Sequence, residues 1–391
     1  MFKPSRRRIR RTGMVSALVL LAAGAAWAGG SPVAGAAEPV PECFGMPATI
    51  IGTPGDDVLT GTPGDDVIVG LEGTDVIYAG AGDFDRVCAG PNDLSVNADG
   101  VPRYERIIGG HYLDGGPGLD WIESNGQYEG TERYAESSFV EIHGGGNPTV
   151  VDEQGRRWRE RLVVPGDADG AEIFGGDGPD RVYAGLTNEG ETWAEVDAGA
   201  GHDVVNCVGG GDSICEIYGG RGSGNDRLRA VAISRAELFG QSGNDVLSTK
   251  HMYGGSSEVD GGLGNDAAFT SGATSQLLRG GSGGDTLTAN SPANWGSRAT
   301  GPHILQGGTG DDYLEGHLAP ERFGGGAGTD VVHAGGGNDT VWGGTGYDRL
   351  GGGSGRDNLF GEDGNDANWG GPGSDLCRSP TRGPKAHSCE R

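Results

Sequence analysis

The sequence is poor in the apolar residues from which a thick globular core is built. Only 35% of its 391 residues are hydrophobic and 7% are aromatic. Such a composition suits a solenoid, in which each coil buries a few side chains against its neighbours, better than a domain of two thick layers. The longest apolar run, Met14–Ala26, is shorter than the roughly 20 residues of a membrane-spanning helix.

Positive charge is also scarce. The chain has 29 Lys and Arg residues against 55 Asp and Glu residues, which gives a formal net charge of −26. A chain this acidic repels nucleic acid and anionic lipid surfaces. We therefore expect no nucleic-acid partner. The charge suits a protein that neutralises itself with bound divalent cations.

The motifs of common catalytic modules are absent as well. The eight histidines are scattered singly, and the sequence has no H-E-x-x-H motif and no P-loop. One G-x-S-x-G match, Gly280–Gly284, lies inside a glycine repeat and lacks the strand-then-helix context that this motif needs. Repeats fill most of the chain from Gly52 to Arg378, which leaves too little room for a separate enzyme domain. We therefore expect a protein without enzymatic activity.

Glycine, in contrast, is abundant and regularly placed. The chain has 81 glycines, several times the usual share of about 7%. From Gly325 to Arg378 one nine-residue phrase occurs six times in tandem, as GGAGTDVVH, AGGGNDTVW, GGTGYDRLG, GGSGRDNLF, GEDGNDANW and GGPGSDLCR. The phrase places aspartates nine residues apart, at Asp330, Asp339, Asp348, Asp357, Asp366 and Asp375.

The same phrase occurs in two other parts of the chain. Near the N-terminus it runs almost in tandem from Gly52 and supplies Asp57, Asp66, Asp75 and Asp85. In the middle of the chain it is intermittent and supplies Asp120, Asp180, Asp203, Asp226, Asp245, Asp266, Asp285 and Asp312. Glycine permits backbone angles that turn carbonyl oxygens inward, and calcium binds six to eight oxygens from carboxylates and carbonyls. All of these aspartates are therefore predicted calcium ligands.

The pattern G-G-x-G-x-D-x-U-x, with U apolar, resembles the RTX (repeats-in-toxin) family of haemolysin-type calcium-binding repeats. The resemblance implies an all-β fold, a parallel β-roll or β-helix solenoid with several calcium ions in its turns. It also implies that two nonapeptides form one coil. Each ion would then be shared by aspartates one coil apart, such as Asp330 with Asp348, or Asp339 with Asp357.

The spacing of the isolated copies predicts how their aspartates stack. From Asp180 to Asp330 the intervals are 23, 23, 19, 21, 19, 27 and 18 residues. Intervals at or above two nonapeptides indicate one aspartate per coil, with a degenerate turn on the opposite edge. One unbroken column is thus expected from Asp180 to Asp366. The opposite edge should regain its aspartates only at Asp339, Asp357 and Asp375.

Residues 1–37 have the features of an export signal. Six basic residues precede the apolar run, and the small-residue sites Ala26–Ala28 and Ala34–Ala36 follow it. We expect cleavage, an extracellular or secreted protein, and no transmembrane segment afterwards. A single membrane anchor is the alternative reading. Ser5–Arg7 leaves a twin-arginine export route open.

Six cysteines in an exported chain favour disulfides. They lie as near neighbours in the sequence, Cys43 and Cys88, Cys207 and Cys215, and Cys377 and Cys389, although six cysteines allow fifteen pairings. A metal–thiolate cluster is the competing interpretation.

The predicted organisation has five segments. These are a signal peptide (residues 1–37), an N-terminal cap with tandem repeats (38–90), an irregular solenoid with intermittent repeats (91–300), a tandem calcium-binding β-roll (301–378) and a disulfide-stapled tail (379–391).

Two functional alternatives stay open. Exposed aromatic residues at the ninth position, such as Trp342 and Phe360, could bind a carbohydrate or cell-surface partner, or could be covered by the tail. The irregular middle could instead be a calcium-dependent polysaccharide lyase or epimerase. Its candidate groups would be Arg156–Arg161, His202 and His251.

Overall fold

The structure is a computed structural model. It describes residues 39–80, 85–91, 105–108, 112–115, 120–124, 139–144, 160–168, 170–186, 192–210, 212–220, 222–231, 233–251, 254–290, 303–379 and 389. The predicted signal peptide and the arginines Arg156–Arg159 lie outside these residues. All described strands belong to the unit Val40–Arg391.

The described part of the chain consists of strands and turns. In chain order the strands are β1 (Glu42–Cys43), β2 (Met46–Pro47), β3 (Ile50–Ile51), β4 (Val58–Thr60), β5 (Val67–Val69), β6 (Val76–Tyr78), β7 (Arg86–Cys88), β8 (Glu105–Ile108), β9 (Tyr112–Asp114), β10 (Asp120–Glu123), β11 (Phe139–His143), β12 (Glu160–Ala168), β13 (Gly170–Phe174), β14 (Asp180–Leu186), β15 (Trp193–Asp197), β16 (Val204–Val208), β17 (Ile214–Tyr218), β18 (Arg227–Val231), β19 (Arg235–Phe239), β20 (Val246–Lys250), β21 (Ser256–Leu263), β22 (Ala267–Ser271), β23 (Ser275–Ser282), β24 (Thr286–Asn290), β25 (His303–Thr309), β26 (Tyr313–Glu315), β27 (Glu321–Gly328), β28 (Val331–His333), β29 (Gly336–Gly337), β30 (Thr340–Gly346), β31 (Arg349–Gly351), β32 (Ser354–Gly355), β33 (Asn358–Gly364), β34 (Ala367–Trp369) and β35 (Leu376–Arg378).

Two long parallel sheets contain almost all of these strands. Sheet I has 15 of the described strands, in the order β4, β6, β8, β10, β12, β14, β16, β18, β20, β22, β24, β26, β28, β31 and β34. Sheet II has 16, in the order β3, β5, β7, β9, β11, β13, β15, β17, β19, β21, β23, β25, β27, β30, β33 and β35. The chain alternates between the sheets, so one strand from each makes a coil. The fold is therefore the predicted all-β parallel solenoid.

The strand register shows how the repeats build the coils. In the tandem block, Val331 of β28 pairs with Arg349 of β31, two nonapeptides later. Across the irregular middle, the same sheets continue through coils of other lengths, as between Asp285 and Asp312, which are 27 residues apart. The described strands therefore begin in register although the coils differ in length, and within the pair β12–β14 the register shifts after Val164.

The core is a narrow band of apolar side chains between the sheets. In the tandem block the eighth-position residues Val332, Val341, Leu350 and Leu359 are fully buried, and several strands of the middle, such as β18, bury two apolar side chains each. Alternation along each strand turns the ninth position outward, where the rings of Trp342 and Phe360 stack 6.0 Å apart. The thin core agrees with the low apolar content.

Three disulfides link the described cysteines in the pairs of nearest neighbours. Cys43–Cys88 ties the short antiparallel hairpin β1–β2 to β7, and Cys377–Cys389 ties the tail to β35. Cys207–Cys215 crosses the core from β16 to β17. No helix among the described residues has both the length and the apolar character needed to cross a membrane.

Candidate metal centre

An acidic residue precedes or begins every described strand of sheet I. These residues share one register position, because the first residues of the strands pair in the same order from one strand to the next. They form what we call the first column, which consists of Asp57, Asp75, Glu105, Asp120, Glu160, Asp180, Asp203, Asp226, Asp245, Asp266, Asp285, Asp312, Asp330, Asp348 and Asp366. The expected run from Asp180 to Asp366 is thus part of a longer column.

One carboxylate oxygen of each aspartate holds the neighbouring coil. The backbone N–H of Asp312 donates to Oδ1 of Asp330 at 2.9 Å, and that of Asp330 donates to Oδ1 of Asp348 at 2.9 Å. The same bond recurs at every step from Asp180 to Asp366, with the longest, 3.3 Å, between Asp348 and Asp366. The column is therefore structural as well as acidic.

In many of the repeat aspartates the second carboxylate oxygen is buried and has no hydrogen-bond donor. Buried polar atoms are nearly always hydrogen-bonded. A row of buried carboxylate oxygens without donors therefore indicates that another group binds them. The unbonded atoms are Oδ2 of Asp75, Asp245, Asp266, Asp285, Asp312, Asp330, Asp339, Asp348, Asp357 and Asp375, together with Oε2 of Glu321.

A backbone carbonyl oxygen lies near several of these atoms, across the space that a glycine Cβ would fill. A Cβ placed on Gly343 would lie 2.4 Å from Oδ2 of Asp348 and 2.7 Å from the carbonyl oxygen of Gly361. A Cβ on Gly344 would lie only 1.9 Å from the carbonyl oxygen of Gly326 in the preceding coil. The glycines thus leave space in which oxygens of successive turns converge with no hydrogen-bond donor for the carboxylate.

A second column follows the opposite edge, at the start of the sheet II strands, and is acidic only near its ends. Asp66 donates its N–H to Asp85 at the N-terminal end, and Asp339 donates to Asp357 at the C-terminal end, both at 2.9 Å. Between these ends, the same register position is occupied by Ala171, Ala194, Cys215, Ala236, Ser257, Gln276 and His303. The second column therefore lacks carboxylates over most of the middle.

Glu321 is a further candidate site residue, which the glycine pattern does not predict. Its N–H donates to Oδ1 of Asp339 at 2.8 Å, as an aspartate of the phrase would. The signal was present, since Glu321 lies nine residues from both Asp312 and Asp330. Its nonapeptide, GHLAPERFG, has only its first glycine in common with the motif's glycine positions. Glu105 and Glu160 were missed for a different reason, because no glycine phrase surrounds them.

In Asp57, Asp66 and Asp366 the second carboxylate oxygen does have a donor. For Asp366 the donor is the hydroxyl of Ser379 at 3.1 Å. Both the N–H and the hydroxyl of Thr53 donate to Oδ2 of Asp57, and Thr62 does the same for Asp66. The threonine at the second position of the phrase therefore supplies the donors that are missing elsewhere. Asp120 stands at its expected register position, and its side chain lies outside the described residues.

Burial raises the pKa of the column carboxyls. The pKa rises to about 7 for Asp245, Asp266 and Asp312, because a buried carboxylate loses its hydration. The hydrogen bond from the preceding N–H opposes this rise only in part, and like charges one coil away add to it. The pKa of Glu321 rises to about 9, from burial first and then from the charge of Asp339.

These features suit a hard cation bound by oxygen. Within the described residues, no three His, Cys, Asp or Glu side chains gather around one point. An ion between two turns would thus receive about two carboxylates and would take its other ligands from carbonyls and water. Calcium accepts such a mixture, whereas zinc and copper prefer nitrogen and sulfur ligands.

The two candidate catalytic histidines lie in different surroundings in the described part of the chain, and Arg156–Arg159 lie outside it. His251 is buried, with Nδ1 2.7 Å from the carbonyl oxygen of Ile233 and Nε2 2.7 Å from Oγ of Ser257. His202 lies in an exposed turn, where its Nδ1 accepts the N–H of Asn225. The two histidines therefore do not face a common surface in the described part of the chain.

Fold and site together define a parallel β-solenoid with carboxylates stacked in its turns. A family model of the RTX calcium-binding nonapeptide repeat matches four segments, residues 51–83, 304–318, 323–350 and 348–377. The chain thus carries RTX calcium-binding repeats, as its sequence pattern indicates. No curated protein matches the chain. The matched segments leave out residues 84–303, where the first column nevertheless continues.

Proposed function

We propose that this protein is an exported, non-enzymatic calcium-binding β-solenoid whose fold is completed by calcium. The observation that carries the proposal is the line of buried carboxylate oxygens without donors in both columns. Calcium between successive turns would bind these oxygens together with the inward carbonyls. The family match to calcium-binding repeats supports the same ion.

The proposed ligands are the 18 aspartates of the repeats, with Glu321 added to the second column. Support is strongest for those with an unbonded Oδ2, such as Asp312, Asp330 and Asp348. It is weaker for Asp57 and Asp66, whose Oδ2 atoms are hydrogen-bonded by threonines. These two would bind calcium only by exchanging the threonine donors for the ion.

Calcium would stabilise the fold by compensating buried charge. Two carboxylates one coil apart repel each other in a site with little water, and a buried charge without a partner is strongly destabilising. A cation that binds only the folded chain stabilises it by mass action. Calcium outside the cell would then complete folding after export, while low internal calcium would keep the chain unfolded.

Export is supported by the disulfides and by the basic and apolar segments near the N-terminus. Disulfides persist in oxidising compartments, and the three pairs staple both ends and the middle of the solenoid. We place the protein outside the cell or on its surface. A role without catalysis fits the thin core, which is filled by apolar side chains from both sheets.

Circular dichroism and calorimetry with calcium test this proposal. Chelated protein at pH 8 should have a weaker β-sheet signal and a lower melting temperature than calcium-loaded protein, and calcium should restore both, with several ions bound per chain. Magnesium at the same concentration is the control, because it demands a stricter octahedral geometry. An unchanged β-sheet spectrum after exhaustive chelation, with no heat of calcium binding, would refute the proposal.

A further inference from the structure

The outer face of sheet I carries a straight row with an aromatic ring at each end and an arginine in the middle. Tyr183 of β14, Arg229 of β18 and Phe269 of β22 occupy the same register position. Each ring is two strands from the arginine, or roughly 10 Å at the usual strand spacing. The side chains of Tyr183 and Phe269 are about 40% exposed.

Further cations flank this row. Arg181 and Arg227 lie in the neighbouring row on one side, and Lys250 lies on the other. All three are exposed, and neither they nor Arg229 forms an ion pair with any described residue. We call this surface the basic strip; it consists of Arg181, Tyr183, Arg227, Arg229, Lys250 and Phe269.

No described acidic side chain interrupts the strip. The outward positions from β14 to β24 hold no Asp or Glu; beyond them the same row reaches Glu315 in β26 at one end and Glu123 in β10 at the other. Sheet II has the opposite charge on its outer face. Five glutamates follow one another in register there, namely Glu172, Glu195, Glu216, Glu237 and Glu258. A chain of net charge −26 thus concentrates unpaired positive charge on one face.

The surface of the strip is grooved and rich in hydrogen-bonding groups. A groove of about 420 Å³ is lined by Arg181, Tyr183 and Asn206. A second groove, of about 280 Å³, is lined by Arg229, Lys250, Phe269 and several hydroxyl and amide side chains, namely Ser248, Ser271, Thr288 and Asn290. Each groove therefore combines an aromatic ring, a cation and neutral polar groups.

We propose that the basic strip binds an anionic polysaccharide, a chain of uronic-acid sugars lying along the solenoid axis. The apolar faces of two sugar rings would lie on Tyr183 and Phe269, which offer flat apolar surfaces. Arg229 and its neighbours would bind carboxylates by charge-assisted hydrogen bonds, for which the guanidinium fork is well suited. The hydroxyl and amide groups would bind sugar hydroxyls.

A carboxylated glycan fits this surface better than nucleic acid does. Double-stranded DNA carries one charge per roughly 1.7 Å of helix axis, and the acidic remainder of the molecule would repel such a dense polyanion. Uronic acids place fewer charges along the chain, which matches cations spaced over several strands. The strip is built by sheet I and not by the acidic columns, so this function goes beyond calcium binding.

The test measures binding of an oligogalacturonate to calcium-loaded protein by calorimetry. The oligomer should be long enough to span both aromatic rings and too short to gel with calcium. Arg229→Glu, Tyr183→Ala and Phe269→Ala should each weaken binding, by about tenfold or more for the arginine, because a charge-assisted bond is lost. The fully methyl-esterified oligomer, which lacks the charge, should bind much more weakly to the wild type.

Matched controls lie on the same sheet outside the strip. Arg349→Glu makes the same charge change as Arg229→Glu, and Tyr313→Ala removes an exposed ring of sheet I. Neither should change the affinity more than about twofold. Circular dichroism should show that all variants are folded, since the altered side chains are exposed.

Several results would overturn the proposal. Equal weakening by Arg229→Glu and Arg349→Glu would mean that only overall charge matters. No effect of Arg229→Glu would mean that the glycan binds calcium at the turns. Tighter binding of single-stranded DNA than of the oligogalacturonate would assign the strip to nucleic acid. Self-association lost in Arg229→Glu, without any glycan binding, would assign the strip to a second copy of the chain.

Discussion

At the scale of single residues, the repeat aspartate has two separate roles. In Asp312, Oδ1 accepts the N–H of Asp285 from the preceding coil at 2.8 Å, while Oδ2 is buried without a donor. The first role needs only an oxygen acceptor, whereas the second needs a negative charge. Asparagine would therefore keep the coil-to-coil bond and lose the cation ligand.

Asp312→Asn should have opposite effects with and without calcium. In calcium it should bind about one or two ions fewer per chain and be less stable, because the residue contacts two successive turns. Without calcium at pH 8 it should be more stable than the wild type, because a buried uncompensated charge is gone. Calorimetric ion counts and urea unfolding measure both effects.

Asp311→Asn is the matched control for this change. Asp311 is the exposed neighbour of Asp312, and its Oδ1 accepts the N–H of Thr329 at 2.7 Å. The substitution Asp311→Asn removes the same charge from the same turn but changes no buried oxygen. Equal ion loss in both variants would contradict the assigned role of Asp312.

The raised pKa values predict how acid affects the calcium-free fold. The carboxyls of Asp245, Asp266 and Asp312 have a pKa of about 7 in the fold, above the value of about 3.9 in an unfolded chain. The folded state therefore binds more protons between these values, so its stability falls as pH rises from about 4 to 7. Calcium-free protein should melt at a higher temperature at pH 5.5 than at pH 8.

Calcium should reverse the order of these two melting temperatures, because the ion displaces the protons from the carboxyls. With calcium, the melting temperature should be higher at pH 8 than at pH 5.5, as followed by circular dichroism. A calcium-free protein that gains stability steadily from pH 5.5 to pH 8 would show that the column carboxyls are not buried as described.

At the scale of the repeat element, the glycines matter because successive turns touch through their backbones. Gly344 has a φ of +112°, and a Cβ there would lie 1.9 Å from the carbonyl oxygen of Gly326. Gly324, in the neighbouring strand β27, has open space around its Cβ position. Glycines close together in this part of the chain therefore differ greatly in whether they leave room for a Cβ atom.

Gly344→Ala should destabilise the calcium-bound fold by roughly 2–4 kcal/mol, since it combines backbone strain with a clash. Gly324→Ala should change stability by no more than about 0.5 kcal/mol. Urea unfolding in saturating calcium measures the difference. Similar values for both variants would mean that the turns are not packed backbone against backbone.

The sequence was most informative where one element repeats without interruption. Asp330 and Asp348 could be placed on one edge from their spacing, and the inward position of Val332 from strand alternation. Glu321 escaped because the motif was sought through its glycines. Glu105 and Glu160 could not have been found, because their position is set by pairing with strands many residues away. The basic strip was hidden for the same reason, since Tyr183, Arg229 and Phe269 come together only through strand register.

At the scale of the whole molecule, the two edges differ. The first column is acidic on every described strand of sheet I, whereas the second loses its carboxylates between Asp85 and Glu321. In that interval the second column has small side chains such as Ala171 and Ala236 in place of carboxylates. The Cys207–Cys215 disulfide crosses the core there. One edge of the middle would therefore depend on calcium and the other would not.

The two columns should lose calcium independently. Asp348→Ala should disturb sites along the first column, towards Asp312 and Asp366, and leave the Asp339–Asp357 side intact. Asp357→Ala should do the reverse, because the columns lie on opposite edges of the same coils. Calorimetry of both variants and of the double variant should show additive losses of bound ions. Loss of all ions from either single variant would contradict this independence.

Anomalous X-ray diffraction from crystals grown in calcium would test the central claim most directly. The account predicts a file of calcium peaks between successive aspartates of the first column, from Asp180 to Asp366. Along the second edge it predicts peaks beside Asp339 and Asp357 and none beside Ala171, Ala194 or Ala236. Turns without calcium peaks along the first column, or peaks of equal height on both edges of the middle, would contradict it.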